Sequence, residues 1–96
     1  MYLKKHSNGE HIIIGICDSD LIGQVFRENG LKLDISESFY KGQEVTKEEA
    51  THALEEGSNL NLAGKETIQL AIDLGLATQD EIKTIDGIPY LLIFAL

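Results

Sequence analysis

Residues 12–17 read Ile12-Ile13-Ile14-Gly15-Ile16-Cys17, four β-branched isoleucines interrupted by one glycine and followed by a cysteine. Successive side chains of a strand point to opposite faces, so both faces of this segment need cover, as at the centre of a sheet. Upstream, Ser7-Asn8-Gly9 separates two strand-like segments, Tyr2–His6 and Glu10–Cys17. An Asn-Gly pair supplies the positive φ angles of a tight hairpin turn. The pattern predicts an N-terminal β-hairpin whose second strand is central in the sheet.

The segment after the central strand predicts a short helix and then another strand. Asp18-Ser19-Asp20 offers N-cap side chains ahead of apolar residues with helical spacing, which indicates a helix over Ser19–Arg27. Asn29-Gly30 is typical of a helix end. Leu31–Ile35 alternates apolar and charged residues with a period of two, as a half-buried strand does.

The rest of the chain indicates helices and strands without regular alternation. Thr46 and Glu49 have the spacing of a capping box, which places a helix between Thr46 and Gly57. The other predicted elements are a loop over Ser36–Gln43, a strand or loop over Asn59–Leu62, a helix from Gly64 to Gly75, a strand over Glu81–Ile85 and a last strand over Ile88–Leu96. The chain is therefore predicted to be an α+β domain, with a small mixed or antiparallel sheet and two to three helices.

Length and composition predict a single globular domain over residues 1–96. The 96 residues are 43% hydrophobic and 25% charged, inside the range of ordinary globular chains. The longest apolar runs, Ile12–Cys17 and Ile88–Leu96, are shorter than the roughly 20 residues needed to cross a bilayer, so no membrane segment is expected. The single cysteine, Cys17, cannot form an intramolecular disulfide, which favours a cytoplasmic location.

The formal net charge of −8 arises from 16 acidic and 8 basic residues. This charge repels phosphate backbones, so we expect no direct binding of duplex DNA. It favours encounter with a protein partner that has a basic surface, such as a ribosomal protein or a basic enzyme.

The start of the predicted helix at residue 19 carries the candidate catalytic residues Cys17, Asp18 and Asp20. A helix N-terminus can lower the pKa of a thiol, and Cys17 would then be a nucleophile if one of the three histidines served as its base. The more common case is a buried structural cysteine. Two carboxylates two residues apart can begin a cation site, but the later ligands of a calcium loop are missing and the histidines lack metal-binding spacing. Neither a metal ion nor a cofactor is expected.

A candidate binding site is the adjacent pair Phe39-Tyr40, followed by Lys41, in the predicted loop. Adjacent side chains cannot easily share one face, so one ring is expected in the core and the other near the surface. An exposed Tyr40 beside Lys41 would suit contact with a protein or a stacked base. In the alternative, both rings pack locally and hold the loop in place.

The C-terminal run Leu91–Leu96 is apolar at every position. If it forms a strand, both of its faces need cover. Burial within the fold and a homodimer contact are the main alternatives, and a frayed tail is the third.

Several segments of the chain are similar, in their order and spacing, to those of a known protein family. They are Cys17-Asp18, Phe26-Arg27-Glu28, Ile35–Gly42, Val45–Ala50, Asn61–Lys65, Leu70–Leu76 and Asp86-Gly87-Ile88-Pro89. With these segments the chain resembles, over nearly its whole length, the archaeal family called domain of unknown function 424. The resemblance implies a small archaeal cytosolic protein of undefined activity, and it brings no catalytic residues.

The expected function is a non-catalytic binding or accessory module, associated with the translation or RNA-processing machinery of an archaeal cell. Its support is the small size, the acidic surface and the aromatic loop. The alternative is a small enzyme that uses Cys17 or the Asp18/Asp20 pair at a strand-to-helix junction, where open α/β sheets commonly place their sites.

Overall fold

The computed structural model describes residues 1–94. The strands are β1 (Tyr2–Asn8), β2 (His11–Cys17), β3 (Val25–Glu28), β4 (Leu31–Asp34), β5 (Gln43–Glu44), β6 (Asn59–Ala63), β7 (Lys83–Ile85) and β8 (Ile88–Phe94). The helices are α1 (Glu37–Tyr40), α2 (Lys47–Glu56) and α3 (Lys65–Asp73), and 3₁₀ turns lie at Ser19–Leu21 and Gln79–Glu81. No helix within residues 1–94 combines the length and the apolar character needed to cross a membrane.

Within the described chain, six strands form one mixed sheet in the order β5-β1-β2-β6-β8-β7, and β3 and β4 form a separate hairpin. β1 and β2 pair antiparallel from Tyr2 opposite Cys17 to Asn8 opposite His11, which confirms the N-terminal hairpin. β2 also pairs in parallel with β6, and β6 pairs antiparallel with β8. The predicted central strand and the α+β class are therefore confirmed.

Alternate side chains of β2 serve both faces of the sheet. Ile14 and Ile16 are fully buried in a first hydrophobic cluster with apolar residues of α2 and α3. Cys17 lies in a second cluster on the opposite face, which α1 and the β3–β4 hairpin cover. Full burial of one such isoleucine contributes roughly 1.5–3 kcal/mol. β2 therefore contributes buried side chains to both hydrophobic clusters.

The helix predicted over Ser19–Arg27 is wrong. Only a single 3₁₀ turn forms there, because Gly23 adopts a φ of 82° and the chain then enters β3. The amide of Gly23 donates to the carbonyl of Ile35 at 2.8 Å. Phe26 lies opposite Leu33 in the hairpin, and both pack against the second cluster. Strand pairing and burial thus outweigh the helical spacing of the apolar residues.

Helices α1 and α2 start at side-chain caps from their own N-cap residues. The capping box of α2 is confirmed, since Thr46 Oγ1 accepts from the amide of Glu49 at 3.1 Å and Glu49 Oε1 accepts from the amide of Thr46 at 2.9 Å. The loop predicted over Ser36–Gln43 instead contains α1, because the Ser36 hydroxyl accepts from the amide of Phe39 at 3.3 Å. That short helix orients the aromatic pair toward the sheet.

The later strands differ from prediction mainly at their ends. Asn59–Leu62, for which strand and loop were both open, belongs to β6. The strand predicted over Glu81–Ile85 begins at Lys83, after a 3₁₀ turn. The last predicted strand is confirmed as far as Phe94. Ala95 and Leu96 lie outside the described residues.

Candidate functional site

The parallel strands β2 and β6 end side by side, and the start of β8 meets them there. Asp18 follows β2, and its amide donates to the carbonyl of Ala63 at 3.1 Å. Gly64 follows β6, and its amide donates to the carbonyl of Pro89 at 2.9 Å. Open α/β sheets commonly carry their sites at the carboxyl ends of parallel strands. This strand-end junction, formed by Asp18, Gly64 and Pro89, is therefore the first candidate site.

The carboxylate of Asp18 caps helix α3. Its Oδ2 accepts from the amide of Glu66 at 3.0 Å, and its Oδ1 accepts from the amide and the hydroxyl of Thr67 at 2.9 and 2.8 Å. Asp18 and Thr67 are both buried. The prediction that Asp18, Ser19 and Asp20 cap the next helix is therefore wrong. The turn at residue 19 has no side-chain cap, and Asp18 instead accepts from the amide of Glu66 in α3, 48 residues further along.

Gly64 permits this close approach of the carboxylate. Its φ is +107°, and a Cβ at this position would lie 2.5 Å from Oδ1 of Asp18. Because Asp18 already supplies negative charge to the first amides of α3, the junction does not offer these amides to an external anion. The Asp18 carboxylate therefore links the end of β2 to the first turn of α3.

Asp20 lies in a different environment from Asp18. It is exposed, and with Lys65 it lines a cleft of about 200 Å³ next to the junction. Ligand pockets usually enclose roughly 300–1,000 Å³, so this cleft is too small for a typical ligand. Asp18 and Asp20 therefore lie in different environments: the Asp18 carboxylate is buried and hydrogen-bonded, and Asp20 is exposed to solvent. Among residues 1–94, no three His, Cys, Asp or Glu side chains are grouped as metal ligands.

Cys17 is fully buried at the end of β2. Burial, with a smaller effect from the charge of Asp18, raises the pKa of its thiol from 9.0 to about 11. A nucleophilic cysteine needs the opposite shift, because the thiolate is the reactive species. The burial of Cys17 and its raised pKa favour the alternative interpretation, a buried structural cysteine.

We expect Cys17 to react slowly with an aromatic disulfide reagent such as DTNB in the folded protein. With a pKa of about 11, only about one thiol in a thousand is ionised at pH 8, against about one in ten at the ordinary value of 9.0. The absorbance of the released thiolate, followed in native buffer and in guanidinium chloride, should show a rate at least about 100-fold lower for the native chain. Equal rates in both solvents would contradict the burial and raised pKa of Cys17.

The aromatic pair Phe39-Tyr40 packs against the sheet. The ring of Phe39 stacks on His6, with centroids 4.6 Å apart, and covers Gly15, where a Cβ would come within 2.8 Å of the ring. Tyr40 is 6% exposed, and burial raises the pKa of its hydroxyl to about 12. The structure fits the expectation that one ring lies in the core and the other nearer the surface: Tyr40 is the core ring, because α1 directs this side chain into the second cluster. A binding role for an exposed Tyr40 therefore does not apply. Of the predicted binding residues, Lys41 is exposed and Phe39 is half-buried.

The C-terminal strand leaves part of the sheet uncovered. β7 pairs with only the first three residues of β8, so the rest of its outer edge has no neighbouring strand among the described residues. Leu91 and Ile93 pack against the first cluster, whereas Leu92 and Phe94 are 49% and 68% exposed. We call Leu92, Phe94 and this unpaired strand edge the open β8 edge. Of the predicted run Leu91–Leu96, Leu91 and Ile93 therefore face the core, whereas Leu92 and Phe94 face solvent. Residues 95 and 96 lie outside the described chain.

Sequence reasoning missed the link between Asp18 and Thr67. The available signal was α3 itself, because its N-cap position is Gly64, which has no side chain to accept a hydrogen bond. The first amides of any helix need acceptors. A helix that begins in this way therefore indicates a cap from a distant part of the chain.

Two comparisons bear on this architecture. The family model described as "Protein of unknown function (DUF424)" matches residues 6–96. A solved structure, the crystal structure of an uncharacterized conserved protein from Methanopyrus kandleri, is 30% identical, with a TM-score of 0.83. The alignment covers 99% of this chain and 90% of that one. No curated protein matches the chain.

Proposed function

Since this chain belongs to the DUF424 family of proteins of unknown function, we propose that it is a non-catalytic module that binds a protein partner through the open β8 edge. The observation that carries this proposal is the exposure of two large apolar side chains, Leu92 and Phe94, on a strand whose outer edge beyond Tyr90 is unpaired within residues 1–94. Unpaired strand edges accept further strands through their backbone hydrogen bonds. Exposed apolar side chains beside such an edge add contact area.

The surroundings of the open β8 edge support strand addition. A cavity of about 300 Å³ lies against it, lined by residues that include Glu81, Lys83 and Tyr90. A partner strand that pairs with residues 91–94 would place alternate side chains beside Leu92 and Phe94 on the same face of the sheet, because strand side chains alternate between faces. Backbone hydrogen bonds between the two strands would supply affinity, and the fit of a partner side chain into the cavity would supply selectivity.

The charge of the chain favours a basic partner. The net charge of −8 attracts positively charged proteins and speeds their encounter, in a way that salt screens. Proteins that bind RNA are commonly basic, since they must neutralise phosphates. The proposal therefore extends to a component of the translation or RNA-processing machinery in the cytoplasm of an archaeal cell.

The test is capture of partners from an extract of the native organism with the wild-type chain and with a Leu92→Ser/Phe94→Ser variant. Proteins bound through the open β8 edge should be depleted at least about tenfold in the variant, since exposed apolar contacts at an interface centre each contribute roughly 1–2 kcal/mol. Leu31→Ser is the matched control, because Leu31 is 58% exposed on the β3–β4 hairpin. Mass spectrometry should identify the depleted proteins as basic, RNA-associated components.

Equal capture by the wild type and the double variant would contradict a role for the open β8 edge. A second copy of the chain is the alternative partner, because apolar strand edges are self-complementary. Sedimentation of the wild type distinguishes the two, since a homodimer would dissociate on dilution and would be absent in the double variant.

A further inference from the structure

A second, larger cavity lies between the starts of α2 and α3. It encloses about 580 Å³, within the roughly 300–1,000 Å³ usual for ligand sites. Its lining residues are Met1, Val45, Lys47, Lys65, Glu66, Gln69 and Leu70. None of them belongs to the open β8 edge, so the cavity is independent of the function proposed above.

The charge of this cavity is opposite to that of the whole chain. Lys47 and Lys65 contribute two positive charges, and Glu66 contributes one negative charge. Among the described residues the one ion pair within 4.0 Å joins Lys5 to Glu56, so neither cavity lysine is neutralised by a close carboxylate. A chain with twice as many acidic as basic residues therefore keeps two unpaired cations beside one opening.

The remaining lining residues are mostly apolar. Leu70 is buried, and Met1 and Val45 are half-buried against the first hydrophobic cluster. The amide of Gln69 is the one uncharged polar side chain of the lining. An apolar floor with a few charged groups at its rim is the usual composition of a small-molecule site.

We propose that this cavity binds a small organic carboxylate with an apolar body. The lysines at its rim attract the carboxylate, and the side chains of Met1, Val45 and Leu70 contact the apolar body. The Glu66 carboxylate in the lining repels additional negative charge, so the cavity suits a monoanion better than a phosphate dianion. Lysine is suited to the role, since its flexible ammonium donates in several directions to one anion.

The test uses octanoate as the probe and octanol as its uncharged counterpart. Each is titrated into the ¹⁵N-labelled chain, and amide shifts are followed around Val45, Lys65 and Leu70. We expect octanoate to bind there at least about tenfold more tightly than octanol. A Lys47→Gln/Lys65→Gln variant should lose that preference, whereas Glu66→Gln should tighten octanoate binding a few-fold, since it removes a repulsive charge.

Lys32→Gln is the matched control, because Lys32 is an exposed lysine on the β3–β4 hairpin, outside the cavity lining. It should leave octanoate binding unchanged, and thermal melting of each variant checks that the fold is retained. Equal affinities for octanol and octanoate, or equal losses in the Lys32 and Lys47/Lys65 variants, would overturn the proposal. Amide shifts confined to the open β8 edge would overturn it as well, without bearing on protein binding at that edge.

Discussion

The Asp18→Ala variant is expected to lose about 3–4 kcal/mol of its free energy of unfolding. The change removes three hydrogen bonds and leaves the buried amide and hydroxyl of Thr67 without their acceptor. A lost N-cap costs roughly 0.5–2 kcal/mol, and each unsatisfied buried polar group costs roughly 1–3 kcal/mol. Small domains have only roughly 5–15 kcal/mol in total. Thermal melting should therefore show a fall of at least about 12 °C.

Asp20→Ala is the control for this prediction, because Asp20 is an exposed carboxylate two residues away. It should change the free energy of unfolding by less than about 0.5 kcal/mol. Asp18→Asn should lie between the two, since an amide keeps one acceptor oxygen for Thr67 but loses the second for Glu66. If the urea unfolding curves of the Asp18→Ala and Asp20→Ala variants coincide, the hydrogen bonds of Asp18 do not stabilise α3.

The second large effect is expected in β8, where neighbouring residues should behave in opposite ways. A Leu91→Ser/Ile93→Ser variant should lose about 4 kcal/mol or more, because both side chains pack against the first cluster and the change leaves polar groups there. A Leu92→Ser/Phe94→Ser variant should lose less than about 1 kcal/mol, because both side chains are largely exposed.

Urea unfolding followed by circular dichroism measures this contrast, and each double variant is the control for the other. A shift of one residue in strand pairing exchanges the two faces of a strand. If the Leu92/Phe94 variant were the less stable one, the pairing of Leu60 with Ile93 and of Leu62 with Leu91 would be contradicted.

Sequence reasoning succeeded where the determinants are local. The N-terminal hairpin follows from the turn signal at Asn8-Gly9, although the two turn residues in the structure are Gly9 and Glu10. Helix α2 follows from a capping box whose partners are three residues apart. It failed for Ser19–Arg27, where the apolar spacing suits a helix but Phe26 gains more by lying opposite Leu33 in a hairpin. Pairing of that kind depends on residues outside the local window.

The candidate sites were less predictable than the fold for the same reason. A thiol and a carboxylate at positions 17 and 18 indicated a catalytic role. In the structure Cys17 is buried, and Asp18 caps the helix that begins after Gly64. The sequence indicated that one ring of Phe39-Tyr40 is buried but not which one, and the answer depends on α1, which starts at the Ser36 cap and places Tyr40 inside. The cavity near Lys47 joins residues from three distant segments, which no sequence motif relates to one another.

The parallel pairing of β2 with β6 has a consequence for synthesis of the chain. When Cys17 leaves the ribosome, the neighbour that completes its strand, Ala63, is 46 residues away. At roughly 5–20 residues per second, β2 waits about 2–9 s with one apolar edge unpaired. Closing so long a loop also slows folding, because the entropy of the intervening chain is lost before the strand contacts form. Until β6 is made, the nascent N-terminal hairpin therefore presents an apolar strand edge that favours aggregation.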